Sequence, residues 1–381
     1  MGWVGVPAAL VLIAVVLIDA FEAMILPRRV SHPWRLARLF YRATWAAWEA
    51  GARLLPPGRR RQTYLSIFGP LSLFALLALW AVGLILGFAL LHWSLGTAIK
   101  PPEGTESGFG TYLYFCGGNF FTLGYGDVVP KDSLGRVLGV LEAGLGFGFL
   151  AIVISYLPVL YQAFSRREIT ISLLDARAGS PPSAGELLRR IAAARSPGAV
   201  GPLLAEWERW AAELLESHLS FPVLSYYRSQ HDNQSWVGAL TTILDSSALL
   251  IAAGEASESY QARLTFAMAR HAAVDLAMTV SAPPRAPEPD RLATTDLARL
   301  TDDLRGAGMT LRDGPEVTRA LAELRNLYEP FVNALADKFW LALPAFQPAA
   351  PPVDNWQTSA WMRRSPGFGR LPAGVEDEHF D

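Results

Sequence analysis

The chain has 381 residues, 51% of them hydrophobic, with a mean hydropathy of +0.23 and a formal net charge of −2. That apolar content is high for a wholly soluble protein, and the near-neutral charge supplies no basic field for nucleic acid. The single cysteine, Cys116, excludes an internal disulfide framework, and no zinc-type Cys/His spacing is present.

Three stretches, approximately 3–26, 67–93 and 137–164, are apolar for long enough to cross roughly 30 Å of hydrocarbon, which takes about 20 helical residues. The first lacks a basic leader and a small-residue cleavage pattern, so it reads as a retained helix rather than a signal peptide. Between the first and second stretches lie Arg28, Arg29, Arg35, Arg38, Arg42, Arg53, Arg59, Arg60 and Arg61, against Glu49 alone. The positive-inside rule makes this loop cytoplasmic. The N-terminus is then outside an inner (plasma) membrane, and the chain after Phe164 is cytoplasmic, where Arg166 and Arg167 agree. The outer segment carries Glu103, Glu106, Asp127 and Asp132 against Lys100 and Lys131.

Within the loop, Arg35, Arg38, Arg42, Glu49 and Arg53 share about a 60° arc at about 100° per residue. Trp34, Leu36, Leu39, Phe40, Trp45 and Trp48 occupy much of the rest. The pattern predicts an amphipathic helix in the membrane interface, its arginines toward headgroups. The alternative is a helix packed on its own protein.

The segment 108–130 is too aromatic for an exposed loop, with Phe109, Tyr112, Leu113, Tyr114, Phe115, Phe120 and Phe121, and too short to span and return. A half-membrane helix over 108–121 followed by an extended return satisfies both limits, and non-helical backbone at that depth must line a cavity or be buried in protein. Potassium exchanges its hydration waters for protein oxygens, which a strand with all its carbonyls on one axis supplies. Consecutive strand carbonyls point opposite ways, so alternate residues need positive φ. Gly124 and Gly126 adopt it cheaply. Thr122 adds its hydroxyl to the lowest cage, Tyr125 points outward to hold the strand, and Asp127 at the mouth hydrogen-bonds behind the strand and concentrates cations.

Thr122-Leu123-Gly124-Tyr125-Gly126-Asp127 resembles the selectivity filter of the potassium channel family, in particular bacterial channels with a two-helix pore module. The resemblance covers roughly 67–167, and the carbonyl mechanism is the family's. It implies potassium ions held at Thr122, Leu123, Gly124 and Tyr125, no other cofactor, and a homotetramer in which four filters surround one ion. Leu123 stands where valine is commonest in the family. Tyr114 and Phe115 take the place of the usual tryptophan pair as an aromatic cuff. Gly118 replaces a glutamate that pairs with the filter aspartate in some members, which leaves the partner of Asp127 open.

The stretch 136–164 resembles an inner pore helix. Gly144, Gly146 and Gly148 lie near its middle, with Gly146 at the hinge offset; the alternative is close packing, because Gly135/Gly139, Gly144/Gly148 and Gly83/Gly87 share small-xxx-small spacing. Pro158 removes a backbone hydrogen bond and kinks the helix where an intracellular gate would close, which nominates Ile154, Ser155 and Leu157 for the constriction. Glu142 is costly in a membrane helix; it either lines the cavity or supports the pore helix, and the second reading is preferred. Asp19 and Glu22 share a face near the cytoplasmic end of the first helix and are expected to snorkel or pair with a loop arginine. Arg59-Arg60-Arg61 are consecutive and in the loop, which is not the spacing of a voltage sensor.

After Glu168, Ile169, Ile171 and Leu173 alternate as a short strand does, and Pro181-Pro182 breaks the chain. Amphipathic patterns then follow at about 184–194, 202–219, 233–253, 257–280, 290–305 and 315–341, which predict a helical bundle. No Gly-rich nucleotide loop or alternating βα pattern is present. His218, His231 with Asp232, and His271 with Asp275 read as ordinary helix residues rather than metal ligands, and Trp207 and Trp210 as core. From 346 onward the sequence is Pro-rich and ends acidic, which predicts a flexible tail.

The expected fold is an all-α membrane protein. It has an N-terminal transmembrane helix (1–30), an interfacial helix and loop (31–66), a potassium-channel pore module (67–165), a cytoplasmic helical domain (166–345) and a tail (346–381). The expected function is potassium conduction without catalysis, gated by the cytoplasmic domain and a ligand or protein it binds. The alternatives are a weakly selective cation channel and a membrane sensor or scaffold with a vestigial pore.

Overall fold

The computed structural model describes residues 2–26, 35–100, 108–194, 198–230 and 233–347. Arg28, Arg29, Trp34, Glu103, Glu106, His231, Asp232 and the tail beyond 347 lie outside the described residues. Those described form an all-α protein with one two-stranded ribbon, divided into two units, Met1–Gln162 and Ala163–Asp381.

The first unit holds α1 (Gly2–Met24), α2 (Leu36–Arg53), α3 (Arg59–Leu95), the short helix α4 (Phe109–Phe120) and the beginning of α5 (Ser133–Ala178). Apolar helices do not associate in lipid by the hydrophobic effect, so close approach must come from small residues. Gly83 and Gly87 supply it on α3. A Cβ at Gly83 would stand 2.9 Å from Val16, and one at Gly87 2.6 Å from Ile13, so α1 seats a buried stripe of Ala9, Ile13 and Val16 on bare backbone. Asp19, one turn further on, is buried and does not snorkel. Its carboxylate accepts the Trp80 indole N–H at 2.8 Å and the Ala37 backbone N–H at 3.1 and 3.2 Å. It therefore caps α2, whose own Arg35 supplies no side-chain cap. Glu22 does meet a loop arginine, Arg35, at 3.4 Å.

The aromatic side of α2 packs on α3: Trp48 stacks on Tyr64 at 4.4 Å and Trp45 meets Phe68 edge-on at 4.8 Å. The alternative of a helix packed on its own protein therefore describes this side of α2. Arg59, Arg60 and Arg61 form the first turn of α3 rather than a loop.

In α5 the expected strand at 169–173 is absent; the helix runs unbroken to Ala178, through Pro158. Its burial explains why. Arg167, Ile171, Leu174 and Ala178 are buried while Ile169 and Leu173 are exposed, a stripe of helical period that the alternation of three apolar residues had obscured.

The second unit adds α6 (Ala184–Ala193), α7 (Val200–Ser220), α8 (Trp236–Ala253), α9 (Ala256–Thr279), α10 (Thr294–Gly306), α11 (Pro315–Asn326) and α12 (Glu329–Phe339). The pattern expected over 315–341 divides into two helices because the Pro330 ring is incompatible with a helical carbonyl four residues earlier. Among the described residues α1, α3, α5 and α8 are long and apolar enough to cross a membrane, but 94% of the apolar window of α8 is buried inside the structure. We assign α8 as the central helix of this unit. Phe346, expected in the tail, is buried with the core and its carbonyl accepts the Gly185 N–H at 2.7 Å. His271 and Asp275 pair at 3.4 Å, and Trp207 and Trp210 are core, 4.9 Å apart.

One charged cluster runs through the second unit's core. Asp245 on α8 binds Arg291 at 2.5 Å and accepts the Tyr328 hydroxyl at 2.5 Å, Arg291 also meets Glu329 at 3.2 Å, and Arg325 joins Glu329 to Asp290. Both guanidinium groups lie over the Phe346 ring, at 5.1 and 5.3 Å. Asp245→Ala leaves Arg291 buried with only Glu329 and the Pro344 carbonyl as hydrogen-bond partners, and denaturant unfolding of the full chain in detergent is expected to show a loss of about 3–5 kcal/mol.

A second joint fixes the end of α5. Arg167 donates to the carbonyls of Leu224 (3.0 Å) and Tyr227 (2.9 Å) and to His218 Nε2 (3.2 Å), while His218 Nδ1 lies 2.8 Å from the Leu214 carbonyl. The ring is thus neutral, with Nδ1–H donating. Burial, reinforced by the adjacent guanidinium, holds its proton affinity well below the ordinary value of 6.5. The unfolded chain takes up this proton below that value and the folded chain refuses it, so stability falls as pH drops beneath 6.5. His218→Gln is expected to flatten this acid slope by up to about 1.4 kcal/mol per pH unit, measured as unfolding midpoints across the acid range.

Candidate functional site

Helix α4 and the six residues after it form the site. Tyr112 and Phe115 face α3: the Tyr112 hydroxyl donates to the Thr97 carbonyl at 2.7 Å, Trp93 meets Tyr112 edge-on at 5.5 Å, and Phe115 meets His92 edge-on at 5.5 Å. Phe120, fully buried, lies against α5, where a Cβ at Gly146 would come within 2.1 Å of its carbonyl oxygen. Gly146 is therefore a packing glycine, while a Cβ at Gly144 or Gly148 would meet nothing.

The chain leaves α4 by a defined cap. The Thr122 N–H donates to the Asn119 carbonyl at 3.0 Å and the Leu123 N–H to the Gly118 carbonyl at 2.8 Å, the paired bonds of a Schellman ending. Such an ending needs its first residue left-handed, and Thr122 has φ of 56°. For a β-branched residue this is strained by about 1–3 kcal/mol. Gly124 and Gly126 follow with φ of 54° and 77°, whereas Leu123 and Tyr125 keep negative φ. Alternation of hand at 122, 124 and 126 is the backbone condition for carbonyls that share one side. Sequence reasoning assigned it to the two glycines and missed the threonine, whose composition carries no such signal.

These residues are open in the single chain, Leu123 at 53% and Tyr125 at 69% exposed. The far end is clamped: Ile99–Lys100 (β1) pairs antiparallel with Val129–Pro130 (β2), and the Lys131 N–H donates to the Ala98 carbonyl at 2.8 Å. The open question of Asp127 is answered by Tyr114, whose hydroxyl donates to its carboxylate at 2.9 Å. As helix neighbours Tyr114 and Phe115 point about 100° apart, Tyr114 to Asp127 and Phe115 to His92 of α3.

Glu142 on α5 is 0% exposed and stands beside Cys116 and Asn119 of α4. Ser155 donates back to the carbonyls of Ala151 (3.0 Å) and Ile152 (2.9 Å), three residues before Pro158. Ile154 beside it is 72% exposed.

A half-membrane helix, a capped reversal and an extended return between two apolar helices is the plan of an ion pore, and residues 75–162 match the family model described as ion channel. Over that stretch the chain is similar to the ion-channel family. Across 199 residues it is 25% identical to the uncharacterized membrane protein YdjJ of Bacillus subtilis (strain 168), covering 52% of this chain and 57% of that one. The alignment thus spans little more than half of the relative. No solved structure matches the chain.

Tyr114→Phe removes the bond to Asp127 and leaves the helix intact. Loss of about 1 kcal/mol is expected, read as roughly fivefold faster amide hydrogen exchange over 122–128 with α4 unchanged.

Proposed function

We propose that four copies of this chain surround one axis and conduct potassium through rings of carbonyls from Thr122, Leu123, Gly124 and Tyr125, with Gly126 and Asp127 forming the outer mouth. The observation that carries this reading is the alternation of positive φ at 122, 124 and 126, directly after a capped half-membrane helix. Two features support the assembly. The strand has no second wall within one chain. The pore part of α5 exposes Val137, Val140, Leu141, Leu145, Phe147 and Ile154, an apolar length suited to neighbouring copies and to lipid.

In this reading Glu142 supports the pore helix from behind rather than lining the cavity, in keeping with its burial. Gly146 holds the pore helix, so the bend falls to the turns where Ser155 and Pro158 both weaken the helix ladder. The second unit acts as the gating domain, the arginine-rich segment before α3 lies on the cytoplasmic side, and the N-terminus lies outside. The ligand-binding work belongs to the second unit, and no catalytic step is assigned.

The purified protein in liposomes is expected to pass potassium well ahead of sodium. Gly124→Ala places a Cβ where φ is 54°, at a cost of about 1–2 kcal/mol per subunit, and should abolish selective flux. Equal potassium and sodium flux in the unaltered protein would make it a general cation channel, and selectivity surviving Gly124→Ala would overturn the filter assignment.

A further inference from the structure

Three side chains from three helices converge in the first unit: His92 of α3, Cys116 of α4 and Glu142 of α5. All three are 0% exposed, and one ligand-type atom from each lies within 4.8 Å of the other two. Two of them are polar groups without hydrogen-bond partners of normal geometry, at His92 Nε2 and at both Glu142 carboxylate oxygens. Buried polar atoms are rarely left so, because each costs about 1–3 kcal/mol. A membrane interior makes the cost larger.

The far side of the imidazole determines what Nε2 can do. His92 Nδ1 lies 2.8 Å from the Thr97 hydroxyl oxygen, and that hydroxyl is directed at the His92 carbonyl, 3.4 Å away. A hydroxyl that spends its proton on the carbonyl must accept from Nδ1–H. Nε2 then carries the lone pair, and it is the buried ring atom without a hydrogen-bond partner. This is the arrangement by which an outer hydroxyl or carbonyl orients a metal-binding histidine.

We propose that His92, Cys116 and Glu142 bind one divalent transition-metal ion of the zinc class, tying α3, α4 and α5 together. A thiolate, an imidazole and a carboxylate are the donor types that zinc takes. The charge balances as well: one dication offsets one thiolate and one carboxylate, so the filled set is neutral in a medium that penalises net charge. Tetrahedral bonds of about 2.0–2.3 Å place donors roughly 3.3–3.8 Å apart, so side-chain movement of about 1 Å closes the set. Asn119, beside Glu142, or a water completes the fourth position. On binding, the Cys116 thiol proton leaves to solvent and the sulfur binds as thiolate.

Because Cys116 is the chain's one cysteine, a thiolate-to-cobalt absorption band can arise nowhere else in it. Full-length protein purified in detergent without chelator is expected to retain about one zinc per chain by elemental analysis. After stripping, titration with Co2+ should produce that band. Glu142→Gln removes a ligand charge, and Thr97→Val removes only the partner of Nδ1; each should weaken Co2+ binding by about tenfold or more. Thr97→Val keeps all three ligands and serves if Glu142→Gln does not assemble. Absence of the band in the unaltered protein at millimolar Co2+ would overturn the proposal and leave a protonated Glu142 hydrogen-bonded to His92. Zinc retained without the band, or a band whose affinity neither variant changes, would overturn it equally.

Discussion

A chain that stops being helical at membrane depth must have its free carbonyls met by something other than lipid, and the first unit is organised around that requirement. Helix α4 ends by bonding its last carbonyls to the N–H groups of Thr122 and Leu123, which forces Thr122 into a conformation its branched side chain resists. The neighbours then hold the strain in place. Phe120 rests on bare backbone at Gly146, Tyr112 is tied to Thr97, and the return is clamped by β1 and β2. Along 122–126 the alternating hand leaves a strand on which Leu123 and Tyr125 are exposed in the single chain, the feature on which the proposed carbonyl rings rest.

The same economy governs the buried charges, in two contrasting ways. Asp19 and Asp245 are surrounded by donors: an indole and a backbone amide for the first, a guanidinium and a phenol for the second. Such groups are satisfied from within the chain and specify geometry; Asp19 fixes where α2 begins. The Glu142 carboxylate and His92 Nε2 are as deeply buried but have no hydrogen-bond partner of normal geometry. The contrast within one molecule is the reason their neighbourhood reads as a binding site rather than as ordinary core.

Much of the first unit's helical layout was legible from residues alone, because long apolar stretches carry a strong compositional signal. The less legible features all depend on partners distant in sequence. Asp19 looked like a snorkelling acid because its partners, Ala37 and Trp80, lie 18 and 61 residues away. Tyr114 and Asp127 meet only once the chain has reversed. The strand expected at 169–173 failed because three alternating apolar residues fit a helix equally well, and the buried set 167, 171, 174 and 178 includes an arginine that no apolar pattern counts. Phe346 sat in Pro-rich sequence that reads as tail, yet two guanidinium groups use its ring. The positive φ at 124 and 126 was legible in their glycines, and the same conformation at Thr122 was not.

Helix α5 brings these parts into one argument about how a pore of this kind would open. Near its start it is pinned where Gly146 meets Phe120, and near its end where Arg167 is held by two carbonyls and His218. Between those pins the ladder is weakest around one turn. Pro158 lacks the N–H that would reach the Ile154 carbonyl, and Ser155 competes for the carbonyls of Ala151 and Ile152. A helix bends most readily where its hydrogen bonds are fewest, and in α5 that turn is 154–158. The family resemblance puts the hinge offset at Gly146, and glycine spacing offers close packing there instead. The backbone contact there makes it a fulcrum, and leaves the exposed Ile154 as the side chain whose position the bend would change most.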